Sequence, residues 1–231
     1  MAPSTLYYTP ASAPCRLVLL VAAALNIELD HNLMNLRGGD QFKPDFLKLN
    51  PQHTVPTLVD GDFSLWESRA IARYLVNKYG EDSGLYPTDP KQRALVDQRL
   101  DFDLGTLYNR YSQYYYPQIF LGAKADEGLL KKLEEALVFL NTFLEGSKYA
   151  AGDKLTLADL GLVTTVSTIE TAGISLDSYP NVQKILKDRL RNRSIRFPFE
   201  LRNPKNCTLG YGIPSVSFGA VQTRHFSYRG S

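Results

Sequence analysis

Along residues 1–80 the apolar positions change period several times, and each change marks a different element. Thr5 to Tyr8 is a short β-prone run, Pro10 to Pro14 supply a loop, and Cys15 to Leu25 is apolar at nearly every position, as in a helix buried on all sides. Glu28 to Leu36 alternates apolar with polar residues and predicts a second strand, followed by a polar loop with Gly38-Gly39 and a short helix over Pro44 to Leu49. Asp60-Gly61 between two apolar runs predicts a hairpin. Glu67 to Tyr79, with Ile71, Ala72, Leu75 and Val76 at helical spacing, closes the unit. A βαβ order followed by ββα implies a mixed sheet flanked by helices, an α/β domain over 1–80 with 81–89 as the linker out.

From Pro90 the pattern is helical throughout. Lys91 to Phe120 predicts one long helix interrupted at Pro117, and Asp126 to Leu144 is amphipathic, with Lys131, Lys132, Glu134 and Glu135 on its polar face. Thr156-Leu157-Ala158-Asp159 has the form of a capping box ahead of an apolar stretch to Ile169; these polar residues are read as a folding cap without chemistry. The second unit is therefore all-α, over 90–184. Beyond Lys184 the spacing becomes irregular, broken by Pro198, Pro204, Gly210, Gly212 and Pro214. The net charge of the whole chain is only +2, yet residues 185–231 carry nine Lys/Arg against two acids, so they read as a divergent basic tail. Such runs are mostly solvated helix ends, and neither a nucleic-acid nor a membrane partner is expected; the apolar run Leu17 to Leu25 is too short to span a bilayer. Two cysteines, Cys15 and Cys207, fit a reducing compartment, and no metal site is expected.

Two stretches carry chemistry. In Asn50 to Leu58 the Val55-Pro56 bond is a candidate cis peptide, and Val55 is held extended, free to pair its backbone N–H and C=O with an extended peptide. Shortly after, Glu67-Ser68-Arg69 open a helix, where unpaired N–H groups beside a hydroxyl make a carboxylate site. Ser12-Ala13-Pro14-Cys15 has the spacing of a dithiol redox motif whose first, attacking cysteine is replaced, which argues against disulfide reduction.

With these parts in this order, the chain resembles the cytosolic glutathione S-transferases, and within them the insect delta class. The resemblance rests on Tyr8 to Arg16, Asn50 to Leu58, Trp66 to Tyr74 and Thr156 to Leu160, and covers residues 1 to about 184. It implies a thioredoxin-like N-terminal domain, an all-α C-terminal domain, and conjugation of glutathione thiolate to hydrophobic electrophiles in detoxification. By the same resemblance Ser12 is the catalytic hydroxyl. His53, the Val55-Pro56 turn, Glu67, Ser68 and Arg69 bind glutathione, and Tyr108, Tyr111, Tyr116 and Phe120 line the electrophile pocket. Glutathione is the co-substrate and no further cofactor is implied; a cytoplasmic homodimer is. Many relatives carry a second histidine where this chain has Gln41, which implies a looser hold on the glycyl end. The other readings are a non-catalytic glutathione-binding variant whose acceptor pocket is impaired with its C-terminus, and a thiol-disulfide oxidoreductase acting through Cys15.

Overall fold

In the computed structural model the structure describes residues 3–191. Four strands, β1 (Ser4–Tyr8), β2 (Leu29–Leu33), β3 (Thr57–Asp60) and β4 (Phe63–Trp66), form one sheet in the order β2-β1-β3-β4. β1 runs parallel to β2 and antiparallel to β3, and β3 turns into β4 through Gly61-Asp62, with Gly61 at φ 64°, which a glycine adopts without a Cβ clash. The second strand is shorter than its alternation suggested: pairing with β1 ends with the Met34 N–H donating to the Tyr8 carbonyl at 2.9 Å, and the Met34 side chain is buried.

Helix α1 (Ala13–Ala24) packs against α3 (Ser68–Tyr79) and against α7 (Leu157–Thr171) of the helical unit, so it is apolar on several faces; Cys15, Leu17, Val18, Leu20 and Val21 have no exposed surface. Its start lies two residues before the sequence-based boundary because Ser12 caps it: the Ser12 side chain accepts the Cys15 N–H at 3.3 Å. The short α2 (Pro44–Leu49) lies as expected. α3 begins at Ser68, with Glu67 as its N-cap at φ 70°, a left-handed conformation uncommon for a residue with a side chain.

The long helix predicted over Lys91 to Phe120 is three segments: α4 (Pro90–Phe102), a π-helical turn over Asp103–Tyr108, and α5 (Asn109–Leu121). Its irregularity lies at that turn; Pro117 sits inside α5 without ending it. The carbonyl that loses its N–H partner to the proline belongs to exposed Gln113, where solvent can serve it. α6 (Glu127–Phe143) is capped by Asp126, which accepts the Leu129 N–H at 2.9 Å. At α7 the expected cap is present. Buried Asp159 accepts the N–H and the hydroxyl of Thr156 at 2.9 and 3.1 Å, and its other oxygen takes the Ala150 N–H at 2.9 Å.

α8 (Pro180–Arg191) runs through Lys184, with Ile185 and Leu186 buried against the helical core. The start of the tail, expected at residue 185, thus falls inside a helix that these two side chains anchor. The remainder of the basic tail, with Cys207, lies outside the described residues.

Candidate functional site

Between the β1–α1 loop and the wall formed by the π turn, α5 and α7 lies a cavity of about 410 Å³. Ser12 and Pro14 line it from the first loop, Gln41, His53 and Val55 from later loops of the α/β unit, and Tyr108, Tyr111, Tyr115, Tyr116 and Phe120 from the helical unit. Three separate stretches of sequence therefore converge on Ser12. Because its Oγ already accepts the Cys15 N–H, its own O–H remains to donate. It also stands at the positive end of α1, where an anion is favoured.

Cys15, three residues on, is a different kind of group. Its side chain is fully buried, and burial, outweighing the Ser12 hydrogen bond, pushes the thiol up to about 11. A thiol of that kind holds its proton at neutral pH and faces no solvent, so the oxidoreductase reading through Cys15 is not supported.

The Val55-Pro56 bond is cis, as expected, with Pro56 buried behind the turn and Val55 on the cavity. Among the described residues neither the N–H nor the C=O of Val55 has a protein partner. Exposed His53, at φ 47°, is packed by Phe42, with ring centroids 5.0 Å apart. Gln41 lines the same end; its Nε2 donates to the Leu36 carbonyl at 3.0 Å, leaving one amide hydrogen, while its buried Oε1 has no partner among the described residues.

Glu67, Ser68 and Arg69 lie at the start of α3 and do not line the cavity itself. Ser68 accepts an Arg69 N–H at 2.9 Å, which again leaves its hydroxyl proton available. Arg69 is buried and forms an ion pair with Asp103 at the start of the π turn, and its guanidinium lies 5.8 Å from the centroid of the Tyr108 ring. Asp103 is a partner that the sequence reading missed, since nothing local distinguishes it from the other helix acids. Arg16 was missed as well; it donates to the Thr164 carbonyl at 3.0 Å and to Thr168, tying α1 to α7 below the cavity.

On the acceptor side Tyr108 and Tyr116 share a hydroxyl–hydroxyl hydrogen bond of 2.5 Å, and Tyr116 meets Phe120 edge-on. Tyr111 is buried, stacked on Tyr115 with centroids 5.4 Å apart. Burial raises the hydroxyl pKa of Tyr108, Tyr111 and Tyr116, with the neighbouring tyrosines adding to the effect at Tyr108 and Tyr111. All stay protonated at physiological pH, so each is a neutral hydrogen-bonding group in an otherwise apolar wall.

Residues 6–83 match the family model of the glutathione S-transferase N-terminal domain and residues 106–195 that of its C-terminal domain. A delta-class glutathione transferase from Nilaparvata lugens is 47% identical, with a TM-score of 0.84 over 91% of this chain and 97% of that one. The chain belongs to the glutathione S-transferase family. A glutathione transferase from Bombyx mori is 42% identical, with a TM-score of 0.85 over 92% of this chain and 98% of that one. A glutathione transferase homologue from Drosophila mojavensis, solved with bound glutathione, is 35% identical, with a TM-score of 0.81 over 92% and 96% of the two chains. The transferase is thus an enzyme that conjugates glutathione, built on a thioredoxin-like α/β domain and an all-α domain. The cavity at the junction of the two contains both a serine hydroxyl and an aromatic wall.

Proposed function

We propose that the transferase activates glutathione through Ser12 and delivers the thiolate to hydrophobic electrophiles held by Tyr108, Tyr111, Tyr116 and Phe120. The observation that carries this reading is the Ser12 hydroxyl: its oxygen is occupied by the Cys15 N–H, its proton is free, and it opens into the cavity that the tyrosines line. A free thiol titrates near 8.5, so at neutral pH most glutathione is unreactive. Each unit of depression requires about 1.4 kcal/mol of preferential thiolate stabilisation, and one charge-assisted hydrogen bond contributes roughly 1.5–3 kcal/mol.

The rest of glutathione follows from the free backbone and helix-end groups. The unpartnered N–H and C=O of Val55, set by Pro56, suit the cysteinyl unit. The α3 N-terminus with Glu67, Ser68 and Arg69 suits the γ-glutamyl amine and carboxylate. His53 and the spare amide hydrogen of Gln41 suit the glycyl carboxylate. Glutathione is the co-substrate, and the chemistry invokes no further cofactor.

The 47% identity to a delta-class enzyme supports assignment to that class. We place the protein in the cytoplasm as a homodimer acting in detoxification of electrophiles; exposed Phe63, Tyr79 and Leu95 offer apolar surface for a second copy. The test is the ultraviolet absorbance of bound glutathione thiolate across pH. The wild type is expected to titrate below the free value and Ser12→Ala to return toward it, with conjugation at neutral pH falling roughly 10- to 100-fold. An unshifted titration in the wild type refutes the reading.

A further inference from the structure

A second cavity, of about 410 Å³, lies at the end of α3 opposite Ser68 and shares no residue with the cavity that holds Ser12. α3 has 12 residues, so its two ends stand about 18 Å apart. The lining comes from Val76 and Asn77 in the last turn of α3, Glu81 in the 3-10 turn that follows, Tyr86 and Thr88 in the linker, and Arg93 in the first turn of α4. Two opposite charges, Glu81 and Arg93, therefore line one cavity, yet among the described residues they form no ion pair with each other or with any other group.

Arg93 is held in place by contacts that leave its outer end free. Its Nε donates to the Pro87 carbonyl at 2.6 Å, and its guanidinium lies 4.4 Å from the centroid of the Tyr86 ring. That ring is fixed in turn, because the Tyr86 hydroxyl donates to the Asp97 carboxylate at 3.1 Å and Asp97 is paired with Arg73 at 2.8 Å. The two terminal nitrogens of Arg93 have no hydrogen-bond partner among the described residues, and together they form the planar fork that fits a carboxylate. Glu81 stands just past the C-terminal end of α3, where the partial negative charge of the helix end adds to its own and favours an ammonium. A lone anion on Arg93 is repelled by Glu81, and a lone cation on Glu81 by Arg93; a molecule that carries both charges satisfies both. The volume lies within the roughly 300–1,000 Å³ of small-molecule sites, and the Asn77 amide and the Thr88 hydroxyl add neutral hydrogen-bonding groups.

We infer that this cavity is a second ligand site, for a zwitterion of the amino-acid or short-peptide type, with its carboxylate on Arg93 and its ammonium on Glu81. The inference does not depend on the reading of Ser12, since the two cavities have no residue in common.

The probes are glycine, diglycine and triglycine, which carry the same two charges at increasing separation. Amide chemical shifts of the full chain are followed by two-dimensional NMR in wild type, Arg93→Gln and Glu81→Gln, with S-hexylglutathione present throughout to occupy the glutathione site. At least one probe is expected to give saturable shifts at Asn77, Glu81 and Arg93 with a Kd of about 1 mM or below. N-acetylation or C-terminal amidation of that probe removes one of its charges and is expected to weaken binding about tenfold or more, as is either substitution. Glutathione conjugation by both variants is expected to match the wild type. Absence of saturable shifts with all three probes, shifts confined to the Ser12 cavity, or equal binding of either modified form overturns the inference.

Discussion

At the scale of single residues the decisive contrast is between Ser12 and Cys15, three positions apart on one turn. Both sit at the start of α1, yet one opens into the cavity and the other has no exposed surface. Burial moves Cys15 from its ordinary 9.0 up to about 11. Between those values the unfolded chain has released a proton that the folded chain keeps, so this thiol's contribution to stability is complete below pH 9 and is lost as pH rises through 11. Wild type should therefore lose up to about 3 kcal/mol more than Cys15→Ala over that window, measured as the difference between their urea unfolding free energies at each pH. Identical pH slopes in the two proteins would refute the burial argument. The Ser-x-x-Cys spacing put a serine where a dithiol motif carries its attacking cysteine. That Cys15 is sealed off depends on α3 and α7 packing against α1, which no local pattern encodes.

Among elements, the π turn over Asp103–Tyr108 does most to shape the site. It is where the helix predicted as continuous changes its winding, and it sends Asp103 to Arg69 at one end and Tyr108 to the cavity at the other. Gly161 on α7 makes room for this: a Cβ there would stand 3.2 Å from the Asp103 carboxylate. The pair is buried on both sides, so removing one member strands a charge, a change that costs roughly 3–5 kcal/mol. Asp103→Ala should lower the urea midpoint by an amount corresponding to that range; a shift worth under about 1 kcal/mol would mean that Arg69 finds water or another acceptor. The cap at Thr156 was legible because a capping box is decided within three or four residues, whereas Ser12 and Asp126, which carry no such box, were not marked as caps. The π turn was not, since one extra residue per turn leaves the apolar spacing almost unchanged over so short a stretch.

For the whole molecule, the cavity belongs to neither domain alone. Ser12, His53 and Val55 come from the α/β unit, Tyr108 to Phe120 from the helical one, and the α1–α7 contact, with Arg16 bonded to Thr164 and Thr168, joins them. A second copy would add to that frame: sedimentation equilibrium should return twice the 25.9 kDa chain mass at micromolar concentration, and a single-chain mass there would remove the homodimer proposal. The helical unit extends to Arg191 through Ile185 and Leu186, farther than charge composition suggested, because two buried side chains outweigh a surface that is basic on its outer face.

The sequence by itself determined the order of the strands, most of the helices, the cap at Thr156 and the cis turn at Pro56, all through signals that act over a few neighbouring residues. Tertiary structure alone decided how groups are partnered and sealed: the hydroxyl pair of Tyr108 and Tyr116, the buried thiol of Cys15, and the Asp103 carboxylate committed to Arg69. Desolvation and hydrogen-bond completion are set by atoms that meet in space from distant parts of the chain, so identical side chains in one helix acquire different chemistry only when the fold has closed around them.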